Sequence, residues 1–139
     1  MIERVRHTVL SMPMAQTPRL AFRMIDAGYV ELEIPLQEPR CIRSGQLQAT
    51  AVFAAADFAA VAVAGTLLPP GFASATIDAS LKLVAPAFGS RLVARGRVVK
   101  ASRSLTVCAS DAYAVCNGKE ILCATMLDTT RNIDTAAAP

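Results

Sequence analysis

Within the stretch Gln46–Leu68, QLQATAVFAAADFAAVAVAGTLL, one residue is charged, Asp57. A carboxylate in such apolar surroundings either finds a hydrogen-bond donor or takes up a proton, because leaving it bare costs several kcal/mol. Two roles are open to it. Asp57 is a satisfied structural acid bonded to a nearby strand or subunit, or it is a working acid or base, the use to which enclosed carboxylates are put at active sites. The residues around it are mostly Ala with Val, Leu and Phe, which favours a helix over a strand, since Ala gives up no side-chain entropy in a helix. The surface of that helix is apolar all round, so protein is expected to wrap it on every side, with Ala letting the neighbours come close. A membrane span is disfavoured. Val52–Leu68 is shorter than the ~20 residues a bilayer needs, holds Asp57, and ends in Pro69-Pro70.

Other chemistries find less to work with. Cys41, Cys108, Cys116 and Cys123 form no C-x-x-C pair, and His7 is the single histidine, so no metal site is expected and the thiols read as reduced core residues. A Ser-His-Asp or Cys-His arrangement would depend on His7, near an end expected to be mobile. Gly-rich phosphate loops are missing from the sequence. With 139 residues the chain reads as one domain, residues 1–139, in which about 20–130 form the core and 1–18 and 131–139 are peripheral or disordered. Hydrophobic residues make up 53% and charged ones 18%, more burial than a monomer needs, so an oligomer is expected. A net charge of +3 with no Lys/Arg block suits an anionic small ligand and gives no footprint for nucleic acid. The first eighteen residues lack an apolar region with a cleavage site, which leaves the cytoplasm as the expected location.

The elements that must position Asp57 follow from periodicity and turn signals. Leu20–Ile25 and Tyr29–Leu36 read as strands joined at Asp26-Ala27-Gly28, and Gln37–Gly45 as a loop leading into the helix. After Pro69-Pro70-Gly71 come strands over Ala73–Val84, Arg91–Lys100, Leu105–Val115 and Glu120–Thr129, with Asn117-Gly118 as a hairpin dipeptide. Alternation in the first of these puts Ile77, Ala79, Leu81 and Leu83 on one face and Asp78, Ser80 and Lys82 on the other. Met1–Pro18 suggest a short helix with a turn near Pro13, and the tail Asp134–Pro139 is expected to be disordered. The order predicts an α+β fold, a long helix lying on a curled antiparallel sheet.

Four pieces of this sequence resemble the hotdog-fold thioesterases and, within them, the PaaI-like acyl-CoA thioesterases: Arg43-Ser44-Gly45, Ala54–Gly65, Ser80–Val99 and Ala101–Met126. The resemblance covers about Leu20–Thr129 and rests on the order and spacing of the pieces. It implies a hotdog fold and hydrolysis of an acyl- or aryl-CoA thioester, with coenzyme A as part of the substrate and no separate cofactor. The helical acid of such enzymes maps to Asp57, as general base on a water or as nucleophile. Their oxyanion donor, a backbone N–H eight residues earlier in a His-Gly-Gly run, maps to Ala49 in Gln48-Ala49-Thr50, so both His and Gly are replaced. Ala offers the same N–H, and Gln48 can stand in for the His as a donor. Ile42 falls where many relatives place an Asn or Gln. These departures give the rival reading, a non-catalytic acyl-CoA-binding or sensing module on the same fold.

Ala49 and Asp57 are about 12 Å apart along one helix, too far to serve one carbonyl, so two antiparallel helices of a homodimer are expected to share each site, with a tetramer as a further step. Asp57 must stay charged, which calls for a hydrogen bond from Thr76 or Ser74, or from Thr50 across the dimer. Gly45 opens the helix at the substrate side. Phe53, Phe58 and Val61 read as core or as acyl pocket; Lys82, Arg91, Lys100 and Arg103 read as solvated charges or as cations for the coenzyme A phosphates, and the resemblance favours Arg103 for that role.

Overall fold

In the computed structural model, which describes residues 1–137, six strands and one long helix make the body of the protein. The helix α3 spans Ala49–Gly65, and the sheet is built from β1 (Ala21–Asp26), β2 (Tyr29–Pro35), β5 (Phe72–Leu83), β6 (Arg91–Ala101), β7 (Leu105–Cys116) and β8 (Lys119–Asp134). Their spatial order is β1-β2-β6-β7-β8-β5, with every pairing antiparallel. This is the expected hotdog arrangement, one helix lying against a curled antiparallel sheet. The alternation of the sequence supplies the reason. Leu32 and Ile34 of β2, Leu92 and Ala94 of β6, Cys108 and Ala112 of β7 and Met126 of β8 turn inward and are buried under α3.

The helix can come so close because of what it lacks. Its eight buried residues are six Ala and two Val, and opposite them on β6 stands Gly96. A Cβ at Gly96 would collide with the Ala59 carbonyl, whose carbon would lie 2.8 Å away. That close approach sets the depth of α3, and so of Asp57, above the sheet.

Three local departures from the sequence expectations have physical causes. Helix α3 begins at Ala49 rather than Gln46, because Gly45, at φ +78°, reverses the chain and lets β4 (Gln46–Leu47) pair back on β3 (Cys41–Arg43). A bulge between Thr76 and Asp78 breaks the alternation of β5. Ile77 therefore points out, 57% exposed, instead of inward with Ala79 and Leu81, and Thr76 pairs with the buried Thr130 on the helix side. Finally, the N-terminal residues form α1 (Ile2–Leu10), followed by the short α2 (Pro13–Gln16). The expected mobile end around His7 is instead a helix whose Val5 and Val9 are buried in the core, tied down by Arg4, which donates to the carbonyls of Leu68 and Pro69. At the other end β8 runs on to Asp134, and Thr135 donates its amide to the Gly71 carbonyl at 2.8 Å, so this part of the expected disordered tail is bonded to the fold. The last two residues of that tail, 138–139, lie outside the described residues.

Candidate active site

Helix α3 is wrapped on most but not all of its circumference. Thr50, Phe53, Ala54, Asp57, Phe58, Val61 and Gly65 fall three and four residues apart and form an incompletely covered stripe beside β5, the edge strand of the sheet. The helix expected to be enclosed on every side thus has one open face, and Asp57 lies at its centre. Phe53 and Val61 belong to this face, while Phe58, partly buried, packs against the core.

Burial pushes the Asp57 carboxyl above the ordinary carboxylate range, and the Thr76 hydroxyl, brought over by the β5 bulge, draws it back down. Within one protomer, Thr76 is the donor that bears on Asp57. Ser74 is engaged elsewhere, donating to the Val61 carbonyl at 3.1 Å, and Thr50 stands two turns away on the same exposed stripe. Among the described residues Asp57 forms no ion pair.

At the start of α3, Gln48 occupies the N-cap position without a side-chain capping bond, and its own amide donates to the Arg40 carbonyl at 2.9 Å. The first helical amides, at Ala49 and Thr50, have no acceptor among the described residues, as the geometry of a helix start dictates. These donors face outward beside a cavity of about 370 Å³ lined by Ile42, Leu47, Val52, Leu83 and Val84. Gly45 holds the turn behind them, accepting from the Gly89 amide. Ala49 and Asp57 are two turns apart, and one protomer does not bring them together. Arg103 stands apart from both. It lies on the β6–β7 hairpin, against a cavity lined by Leu67, Leu68 and Pro69 beyond the far end of α3.

Two features of the site go beyond the sequence reading. Val61, one turn past Asp57, opens on a cavity of about 330 Å³ enclosed by Val5, Val9 and Met12 of the N-terminal segment and by Phe72. An amphipathic spacing in IERVRHTVL, with Ile2, Val5 and Val9 on one side, carries the signal for that wall. The second is Asp128 on β8, fully buried beneath α3. Its carboxyl is pushed up to about 6 by burial first and by the Asp57 charge second.

Comparison with known proteins meets this geometry from outside. A model of the thioesterase superfamily matches residues 49–120. A thioesterase family protein from Silicibacter pomeroyi is 30% identical, with 95% of this chain and 97% of that one covered and a TM-score of 0.92. A thioesterase from Haemophilus influenzae shares the fold at 16% identity, 97% and 92% coverage and a TM-score of 0.84. So does the PaaI protein of the phenylacetic acid degradation operon of E. coli, at 14% identity, 94% and 91% coverage and a TM-score of 0.82. A comparison with curated proteins finds no match. The chain belongs to the thioesterase superfamily and is a thioester hydrolase of the hotdog fold.

Proposed function

We propose that this member of the thioesterase superfamily hydrolyses acyl-CoA thioesters, with Asp57 as the residue that acts at the carbonyl. One observation carries the reading. Asp57 is the single charge on the open stripe of a mostly apolar helix, partly enclosed, with Thr76 near it and no ion pair to neutralise it among the described residues. In the hydrolysis, Asp57 takes a proton from a water whose oxygen bonds to the thioester carbon. The resulting oxyanion collapses, the C–S bond breaks, and the products are a carboxylic acid and the coenzyme A thiol. In the nucleophilic variant the Asp57 oxygen forms the new bond first and water then cleaves the mixed anhydride. Coenzyme A enters as part of the substrate.

The oxyanion needs donors that one protomer does not bring to Asp57. The working unit in this proposal is a homodimer in which the free Ala49 and Thr50 amides of one α3, with Gln48 beside them, face Asp57 of the other. Support comes from β5, a twelve-residue edge strand next to Asp57 whose outer hydrogen-bonding groups are unpaired, with exposed Leu83 and Val84 at its end. Two-fold pairing of β5 with its copy gives two equal sites. The cavity below Val61 suits an apolar acyl or aryl group, which favours an acyl thioester over a small polar one.

Thiol release from a panel of aliphatic and aryl-CoA thioesters, compared between the native protein and Asp57→Asn, tests the proposal. Release is expected from at least one thioester and is lost in the variant while the dimer survives. No release from any member of the panel by folded native protein would overturn it, in favour of an acyl-CoA-binding module.

A further inference from the structure

Among the described residues Asp128 is the one fully buried carboxylate. It lies on β8 between Met126 and Thr130, which share its inward face, in register with Cys108 of β7 and Ala79 of β5. No part of it reaches solvent, and both carboxylate oxygens are without a hydrogen-bond partner. The Thr129 amide and the Thr76 hydroxyl lie near enough to favour its charge, yet neither bonds to it with good geometry. The titratable groups that bear on it from the packed elements are Asp57 of α3, Asp78 of β5 and Cys108 of β7, and it joins no ion pair among the described residues. Two carboxylates and a thiol offer a buried negative charge nothing.

Thr76 decides how the acids divide their protons. Its hydroxyl lies near both carboxyls without forming a hydrogen bond to Asp128, and with one hydrogen it can donate to only one of the two. If both acids were ionised, one would be left with no side-chain donor, and the two charges would repel each other where little water screens them. If Asp128 is protonated, each group finds a partner. With a shift of the Thr76 side chain, the Asp128 O–H would donate to the Thr76 oxygen and the Thr76 O–H to the Asp57 carboxylate. Asp128 is the acid that holds the proton because it is sealed, whereas Asp57 stands on the open stripe.

We propose that Asp128 is a positioning residue for thioester hydrolysis: the Asp57–Asp128 pair holds one proton, it resides on Asp128, and the Asp128–Thr76–Asp57 chain keeps Asp57 charged and aimed. This rests on the reading of Asp57 as the residue acting at the carbonyl. Ionisation of Asp128 breaks the chain and sets a second negative charge beside the developing oxyanion, so activity declines as the last proton leaves.

Two measurements test it. In the pH profile of kcat/KM for thiol release, the native protein shows an alkaline limb that Asp128→Asn lacks, because the amide imitates the neutral acid in shape and as a donor to Thr76. The acid limb, set by Asp57, stays in place, and on the acid side of the alkaline limb the two rates agree within about threefold. A native profile without an alkaline limb, or a limb retained unchanged in the variant, would overturn the proposal. Carbon-13 NMR of the aspartate carboxyls reads the shared proton without any turnover. One carboxyl is expected to titrate well above the ordinary carboxylate range, to be missing in Asp128→Asn, and to move down by about half a pH unit in Asp57→Asn, where its charged neighbour is gone. If Asp128→Asn does not fold, the native titration and the Asp57→Asn shift still decide. An Asp128 that titrates as an ordinary carboxylate, or that ignores the loss of Asp57, sinks the idea. Should no thioester be turned over, the NMR result stands by itself and separates failure of the pair from failure of the activity.

Discussion

The two faces of the sheet treat their carboxylates in opposite ways. On the outer face Glu31, Glu33 and Glu120 lie among Arg23, Arg91 and Arg95. The Arg95 guanidinium bonds Glu120 through both terminal nitrogens, at 2.7 and 2.8 Å, and Glu31 through Nε at 2.7 Å, while resting 5.0 Å from the centre of the Tyr113 ring. The Arg95 hydrogen bond is the main reason the Glu120 carboxyl sits below its ordinary range. On the inner side Asp57 of the helix and Asp128 of the sheet bear on each other, Thr76 lies near both, and both carboxyls are raised. A carboxylate locked to arginine is a fastener, its basicity lowered by its partner. One held near other acids keeps its basicity, which is what proton transfer near neutrality requires.

The widest gap between the faces should open in catalysis. Asp57→Asn is expected to lower kcat/KM for thioester cleavage roughly a thousandfold, whereas Glu120→Gln leaves it within about twofold. Comparable losses from the two would erase the distinction. Next comes Thr76→Val, which removes the donor that draws Asp57 down. The acid limb of the rate profile should then move to higher pH and activity near neutrality drop about tenfold, with Thr76→Ser restoring both.

Stability separates the faces more gently, and with opposite signs in pH. Asp128 titrates near 6 in the fold, above the ordinary 3.8, so its contribution is intact below the ordinary value and is lost as pH rises through about 6. Thermal unfolding should therefore show Asp128→Asn gaining on the native protein by up to about 3 kcal/mol between acid and neutral pH. Glu120, with its carboxyl lowered, contributes above the ordinary carboxylate value and loses that contribution as pH falls. The smallest effect is the removal of this exposed pair. Arg95→Met should cost no more than about 1 kcal/mol, and less in high salt.

Much of the scaffold was legible because each signal was local. The Ala run gave the helix, which stops at Gly65, short of the expected close at Pro69-Pro70, Asn117-Gly118 placed a hairpin, and Asp57 stood out as one charge in an apolar run. What escaped depends on partners distant in sequence. The start of α3 was misplaced because Gln46–Leu47 is held by pairing with β3, and Ile77 was turned the wrong way because an alternation shows no bulge. Asp128 is the instructive case. Counting by twos from Ala124 through Met126 puts it on the inward face with Thr130, but only the packed helix reveals that Asp57 faces it. Arg103 shows the converse, a reasonable cation on a turn that the fold carries to the far end of the helix.

The bare side of α3, six Ala and two Val pressed onto Gly96, constrains how a lineage of such proteins can diverge. On that side almost any substitution adds atoms where there is no room, so the helix cannot drift in depth or tilt without losing the fold. Variation is left the open stripe, at Thr50, Phe53 and Val61, where side chains can change size with little consequence for the core. Descendants of one ancestor can then come to accept different acyl groups while the acid between those positions keeps its place.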